Sequence, residues 1–341
     1  MSSYFDGKQL FNEPVVEQHS SHMLMKNIHK PEKVSYITLD SAFSINEDLS
    51  KNVTKWDFKL SDPMQEVKEL KITSATIPLS WYNIAENLNN SYFSIAVYKD
   101  DTPTTRHTIK VDDDEYLEGT LIEKINEKIT TIITEPGSKK PVFVAPGNSS
   151  KPGVKITVDN SGGGAGTYHY IIDFAVDKYG NSDKRNPKSK LGYHLGFRRT
   201  SYNTKNGDVY AEKFIDIAKR LDIYLSLEDY TTGFSSNYTL VKPDGQTRDN
   251  IIAKIRVDPD DIESTQKYGT STSNTENEKI ENSHHKLRTL SSNLDTIVTG
   301  TRIYSGKTTI QKITVILKDK FGNYIDLNGL DFDITMEIKH L

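Results

Sequence analysis

Residues 67–98, VKELKITSATIPLSWYNIAENLNNSYFSIAVY, decide the fold class. Leu70, Ile72, Ser74 and Thr76 sit at every second position and lead to Ile77, and Phe93, Ile95 and Val97 repeat that period after a break. A period of two puts successive side chains on opposite faces, so each run predicts a strand. Pro78 lacks an amide hydrogen and biases Ile77 towards extended backbone, which ends the first strand there. The Asn-rich piece Asn87–Asn90 then turns the chain back. The stretch reads as two strands joined by a corner, in which Trp81, Tyr82 and Ile84 are too large and apolar to hang in water.

The far end, residues 310–341, repeats the pattern. Ile313, Val315 and Leu317 alternate, Gly322-Asn323 and Asn328-Gly329 are turn dipeptides, and Phe332, Ile334, Met336 and Ile338 alternate again. A terminal strand this regular is expected to be tied into a sheet, because a free tail has no need of the period.

Between these frames lie further alternating runs: residues 34–39 (VSYITL), 56–60 (WDFKL), 106–111 (RHTIKV), Val154-Ile156-Val158, Tyr168 to Val176, and Leu221 to Leu227. An extended run follows at 251–257, IIAKIRV. Leu117, Leu121, Ile125, Ile129 and Ile132 recur at helical spacing and predict one helix. In LGYHLGF, 191–197, two glycines mark a close backbone approach or a turn. About ten short strands, one helix and long loops at 135–166 and 228–300 fit an all-β sandwich or jelly roll, and not an alternating βαβ fold.

Residues 1–30 form an extended arm with no helical or strand period, yet they carry Phe5, Phe11, Met23, Leu24 and Met25. A solvated tail does not need such groups. They are the candidate assembly contacts, with two placements open: over the arm's own domain or against a neighbouring subunit. Residues 31–341 read as one domain, with a polar excursion at about 258–296.

Composition narrows the function. The chain has 341 residues, 35% hydrophobic, with a mean hydropathy of −0.59, low for a compact enzyme. A net charge of −4 gives no bulk attraction to nucleic acid or an anionic membrane. The absence of cysteine removes thiol catalysis, disulfides and Cys-type zinc sites. No run approaches the roughly 18 apolar residues of a membrane span. The start lacks the basic flank and apolar run of a signal peptide, so synthesis in the cytosol is expected.

No catalytic, metal or cofactor site is legible. SGGGAGT at 161–167 has no following Lys and precedes a strand, against a phosphate cradle. Asp112–Glu115 and Asp258–Glu263 lack the ligand spacing of a calcium loop. His19, His22, His284 and His285 show no metal-site spacing, and no GxSxG elbow is present.

The segments LKITSATIPLSWYNI, EYLEGTLIEKINEKI, LGYHLGF, DNIIAKIRV and LKDKFGNYIDLNGLDFDITMEI occur in an order that resembles the penton, or single jelly-roll minor capsid, proteins of large double-stranded DNA viruses. In that family a Gly-containing turn usually precedes the helix Tyr, whereas Asp113-Asp114-Glu115 precede Tyr116 here. The resemblance spans about residues 55–341 and rests on strand pattern. It implies a single jelly-roll sandwich with one short helix, and a homopentamer closing the vertices of an icosahedral virion. It also implies double jelly-roll major capsid and other minor capsid proteins as partners, and assembly in the host cytosol or a viral factory. No cofactor and no specific nucleic acid are expected. A different class is open on the same architecture: a receptor- or glycan-binding virion appendage using the long loops, with Tyr230, Phe234 and Tyr238 stacking on sugars.

Overall fold

A computed structural model describes residues 14–19, 22–27, 31–45, 54–78, 80–134, 140–146, 153–158, 168–218, 222–241, 247–248, 250–256, 289–290 and 297–341. The chain is all-β, with one helix longer than a single turn, Glu118–Ile132. It divides into two compact units. The first holds residues 1–80, 221–318 and 326–341, and the second holds 81–220 and 319–325. The sequence reading, which places one domain over 31–341, does not resolve this division: each unit is assembled from segments far apart in the chain, and local periodicity carries no record of such pairing.

The first unit is built on one antiparallel sheet. Its path runs Ile297–Thr299, Ile251–Arg256, Asp222–Glu228, Thr301–Lys318, Trp56–Thr76, Asp333–His340 and Lys33–Asp40. The runs expected at 56–60 and 70–77 are a single 21-residue strand, paired along its length with the 18-residue strand Thr301–Lys318. Register shifts between Ile303 and Lys312 break that pairing at three points. Each shift leaves one or more residues unmatched and bends the strand, so the sheet curls. Gly306, with φ +98°, lies in this bent region.

The alternation that frames the sequence is fulfilled in the last strand, where Ile334, Met336 and Ile338 are fully buried. Ile313 to Leu317 and Ile223 to Leu227 are instead buried without alternation. Both faces of the sheet centre are therefore covered. Trp56 meets the edge of Phe332 with centroids 4.7 Å apart.

The second unit contains a four-stranded sheet in the order Ser201–Asn203, Tyr168–Asp173, Tyr92–Lys99, Thr102–Lys110, and a three-stranded one, Val209–Tyr210, Lys155–Val158, Pro141–Val144. Leu121, Ile122, Ile125 and Ile129 bury one face of the helix, while Leu117, counted in the predicted stripe, lies just before its first turn and is exposed. Asn126 clamps the helix to the smaller sheet: its amide donates to the Phe143 carbonyl and its Oδ1 accepts from the Phe143 amide, both at 2.8 Å. Phe93 and Phe174 pack between these layers, 5.7 Å apart.

The corner in residues 77–91 is packed as expected, with Trp81 and Ile84 buried. Asn83 donates to the carbonyls of Tyr116 and Ile217 and accepts from the Tyr116 amide. Asn90 closes the turn on Asn83 and Ala85, and Asn89 takes a left-handed φ of 62°. The two strands flanking the corner do not pair with each other. Trp56–Thr76 belongs to the long sheet of the first unit and Tyr92–Lys99 to the four-stranded sheet of the second.

Candidate assembly surface

Strand Lys33–Asp40 is the end of the first unit's sheet path. It pairs through eight unshifted positions with Asp333–His340, and no strand pairs with its other side among the described residues. Inward-facing Leu39 is 3% exposed, whereas Val34 and Tyr36 are 51% and 65% exposed. The chain then enters a short turn, Ser41–Phe43, capped by the Asp40 carboxylate accepting from the Ala42 amide at 3.0 Å. Ser41 Oγ donates to Asp331 at 2.8 Å and accepts from the Phe332 amide, so the turn is anchored. The anchoring presents Phe43 and Ile45 outward, 78% and 61% exposed.

The polar groups on the outer face are already matched. Tyr36 donates to Glu337, which pairs with Lys71 at 3.2 Å, Lys339 pairs with Glu69 at 2.7 Å, and Thr38 bonds Thr335. Four large apolar side chains thus stand beside a row of backbone donors and acceptors that no strand among the described residues pairs with. A strand edge is ordinarily blunted by proline, a bulge or an inward charge, and this one has a regular register and no proline.

The predicted contacts Met23, Leu24 and Met25 fall in strand His22–Asn27, opposite Gln18, Glu17 and Val16 of strand Pro14–His19. Pro14–His19 and His22–Asn27 pair as a hairpin where the sequence shows no strand period. The consecutive apolar residues 23–25 mask any alternation. Phe5 and Phe11 lie outside the described residues. Val34, Tyr36, Phe43 and Ile45 were not among the sequence candidates. The signal for Val34 and Tyr36 was present in VSYITL, where apolar residues occur on both phases of the strand.

Other sequence candidates have local partners. Asp112 accepts from Lys128 at 2.7 Å and lies 3.7 Å from Lys124, contacts that hold its carboxyl below the ordinary range against the opposing effect of burial. Asp113 accepts from the Glu86 amide. His19 and His22 face each other in the hairpin register, while 161–167, 258–263, His284 and His285 lie outside the described residues. The polar excursion is described only at Thr289–Leu290, which pairs with Ala75 and Thr76. Among the described residues no group of three or more His, Asp or Glu is placed to hold a metal.

The loop aromatics proposed for sugar stacking are engaged within the first unit. Arg302 lies 4.1 Å over the Phe234 ring, Tyr238 is half-buried, and Tyr230, though 62% exposed, bonds Thr314 through its hydroxyl and has Lys312 5.0 Å from its ring centroid. No helix among the described residues is long and apolar enough to cross a membrane.

The chain is similar to the mavirus penton protein. That crystal structure aligns with 91% of this chain and 99% of its own, at 11% identity and a TM-score of 0.35. The cryo-EM structure of the Sputnik virophage aligns with 91% of this chain and 98% of the matched one, at 11% identity and a TM-score of 0.32. At these scores neither likeness bears on the fold, which rests on strand pairing. No protein-family model and no curated protein sequence matches the chain.

Proposed function

We propose that this chain is a structural capsid protein, a single jelly-roll penton that forms a homopentamer at the vertices of an icosahedral virion. The observation that carries this reading is the unblunted edge Lys33–Asp40 with Val34, Tyr36, Phe43 and Ile45 exposed beside it. A neighbouring chain that pairs with this edge satisfies its backbone groups and covers the apolar side chains. A ring repeats one contact between unlike surfaces, so one such edge per chain is enough to close it. The sequence motifs that resemble penton proteins fit the same role, as does an arm rich in large apolar residues that precedes the edge directly. Double jelly-roll major capsid proteins and other minor capsid proteins are the partners this reading requires.

Light scattering on the purified chain should give the mass of five copies of a 38.6 kDa subunit. Replacing Val34 and Tyr36 together by Asp should yield a monomer with unchanged circular dichroism. A wild-type chain that remains monomeric at high micromolar concentration and is absent from purified particles would refute the proposal.

A further inference from the structure

Residues 174–200 of the second unit enclose a half-open cavity of about 210 Å³ that the assembly role does not use. Phe174 and Phe197, stacked 5.1 Å apart and nearly fully buried, back its apolar wall, whose accessible part is Pro187 and Tyr193. Gly192 makes room for this wall, since a Cβ there would stand 2.3 Å from the Phe174 ring.

The rim is cationic. Arg198 lies 3.9 Å over the Tyr193 ring, and its Nη1 donates to the carbonyls of Tyr193 at 2.9 Å and Phe197 at 3.1 Å. The guanidinium is thereby fixed in place, with Nε and Nη2 uninvolved in those bonds, and it has no carboxylate partner among the described residues. Lys188 is exposed and likewise unpaired among the described residues, while Arg199 is only loosely matched by Glu212 at 3.7 Å. Lys190, whose amino group is taken up by Asp183, Asn89 and Val176, contributes its stem rather than a free charge. No Asp or Glu lines the cavity.

A fixed arginine and a free lysine above an apolar wall favour an oxyanion attached to a ring: the anion gains charge-assisted hydrogen bonds, and the ring leaves water. A cavity of roughly 150 Å³ is enough for benzene. We propose that this cavity binds a phosphate or sulfate ester of a ring-sized group, with the oxyanion on Arg198 and Lys188 and the ring against Pro187 and Tyr193. This assignment is independent of the capsid reading.

The test is calorimetric titration of the full-length chain with phenyl phosphate, and with inorganic phosphate and phenol as half-ligands. Phenyl phosphate should bind saturably and at least tenfold more tightly than either half-ligand. Arg198→Gln should weaken it about tenfold, as expected for a lost charge-assisted contact. Lys188→Ala, at an exposed side chain with no described bond, should weaken it severalfold without changing the melting temperature. Competition by adenosine monophosphate against N-acetylglucosamine 6-sulfate then distinguishes a nucleotide from a sulfated-sugar source. Failure of phenyl phosphate to bind, binding no tighter than inorganic phosphate, or affinity unchanged in both variants would overturn the assignment.

Discussion

At the scale of single residues, two buried ionic clusters each hold a carboxylate below its ordinary range. In the second unit Lys190 is almost fully buried and donates to Asp183 at 2.9 Å, to Val176 at 2.8 Å and to Asn89 at 3.1 Å. Burial pushes the Asp183 carboxyl pKa up, but hydrogen bonds from Arg185 and Lys190 outweigh it and bring it from 3.8 down to about 2. Burial also pushes the Lys190 pKa down against the pull of Asp183, so the pair stabilises less than the carboxyl alone implies. The acid response of the pair belongs to Asp183, its carboxyl member. Because its folded pKa is depressed, its contribution is complete above pH 3.8 and is lost as pH falls towards 2. The loss should be on the order of 2 kcal/mol. Asp183→Asn should flatten this part of the stability curve in urea titrations from pH 5 to 2; an unchanged slope would exclude Asp183 as its source.

Arg302 in the first unit is 1% exposed, donates to Asp229 at 2.6 Å and to the Leu227 carbonyl at 2.9 Å, and its Nε has no hydrogen-bond partner among the described residues. Burial raises the Asp229 pKa, yet the Tyr304 hydroxyl and Arg302 together hold it below the ordinary carboxyl value. Arg302→Met removes the cation from a carboxylate that stays buried, which should cost about 3–5 kcal/mol. Adding Asp229→Leu should recover part of this. The urea midpoints of the single and double variants measure both, and a single variant as stable as the native chain would contradict the account.

At the scale of elements, two glycines separate packing from propensity. Gly192 is the second residue of the short helical turn Leu191–His194 against Phe174, and the 2.3 Å approach of an added Cβ to that ring leaves nothing to yield, because the ring is itself stacked on Phe197. Gly192→Ala should cost about 1–3 kcal/mol. Gly119, in the first turn of helix Glu118–Ile132, has no atom within 4 Å of the same position. Gly119→Ala should stabilise by about 0.4–1 kcal/mol by narrowing the unfolded ensemble. Melting temperatures should therefore move in opposite directions, and a common direction would mean that the packing around Gly192 is misjudged.

At the scale of the whole molecule, the arm is the part most separable from the sheet. The last strand pairs with Trp56–Thr76 and Lys33–Asp40, and among the described residues the first unit's long sheet contains none before Lys33. Deleting residues 1–30 should leave a folded chain with the native circular dichroism spectrum that no longer enters particles. Loss of cooperative unfolding in the truncated chain would assign the arm to the core instead.

The sequence by itself determined the elements whose burial is one-sided. The alternation of Ile334, Met336 and Ile338, the helical stripe through Leu121, Ile125 and Ile129, and the Asn-rich corner each carry their own period or turn chemistry, which local sterics and one apolar face are enough to specify. Only the tertiary structure decided which strands are neighbours. It assigned the two strands of the opening stretch to different sheets and joined 56–60 to 70–76 as one bent strand. It also left Val34 and Tyr36 on an open edge. The reason is physical: a period of two records that a side chain is buried, while the partner that buries it lies tens to hundreds of residues away, as Met336 does from Ile72 and Ile37.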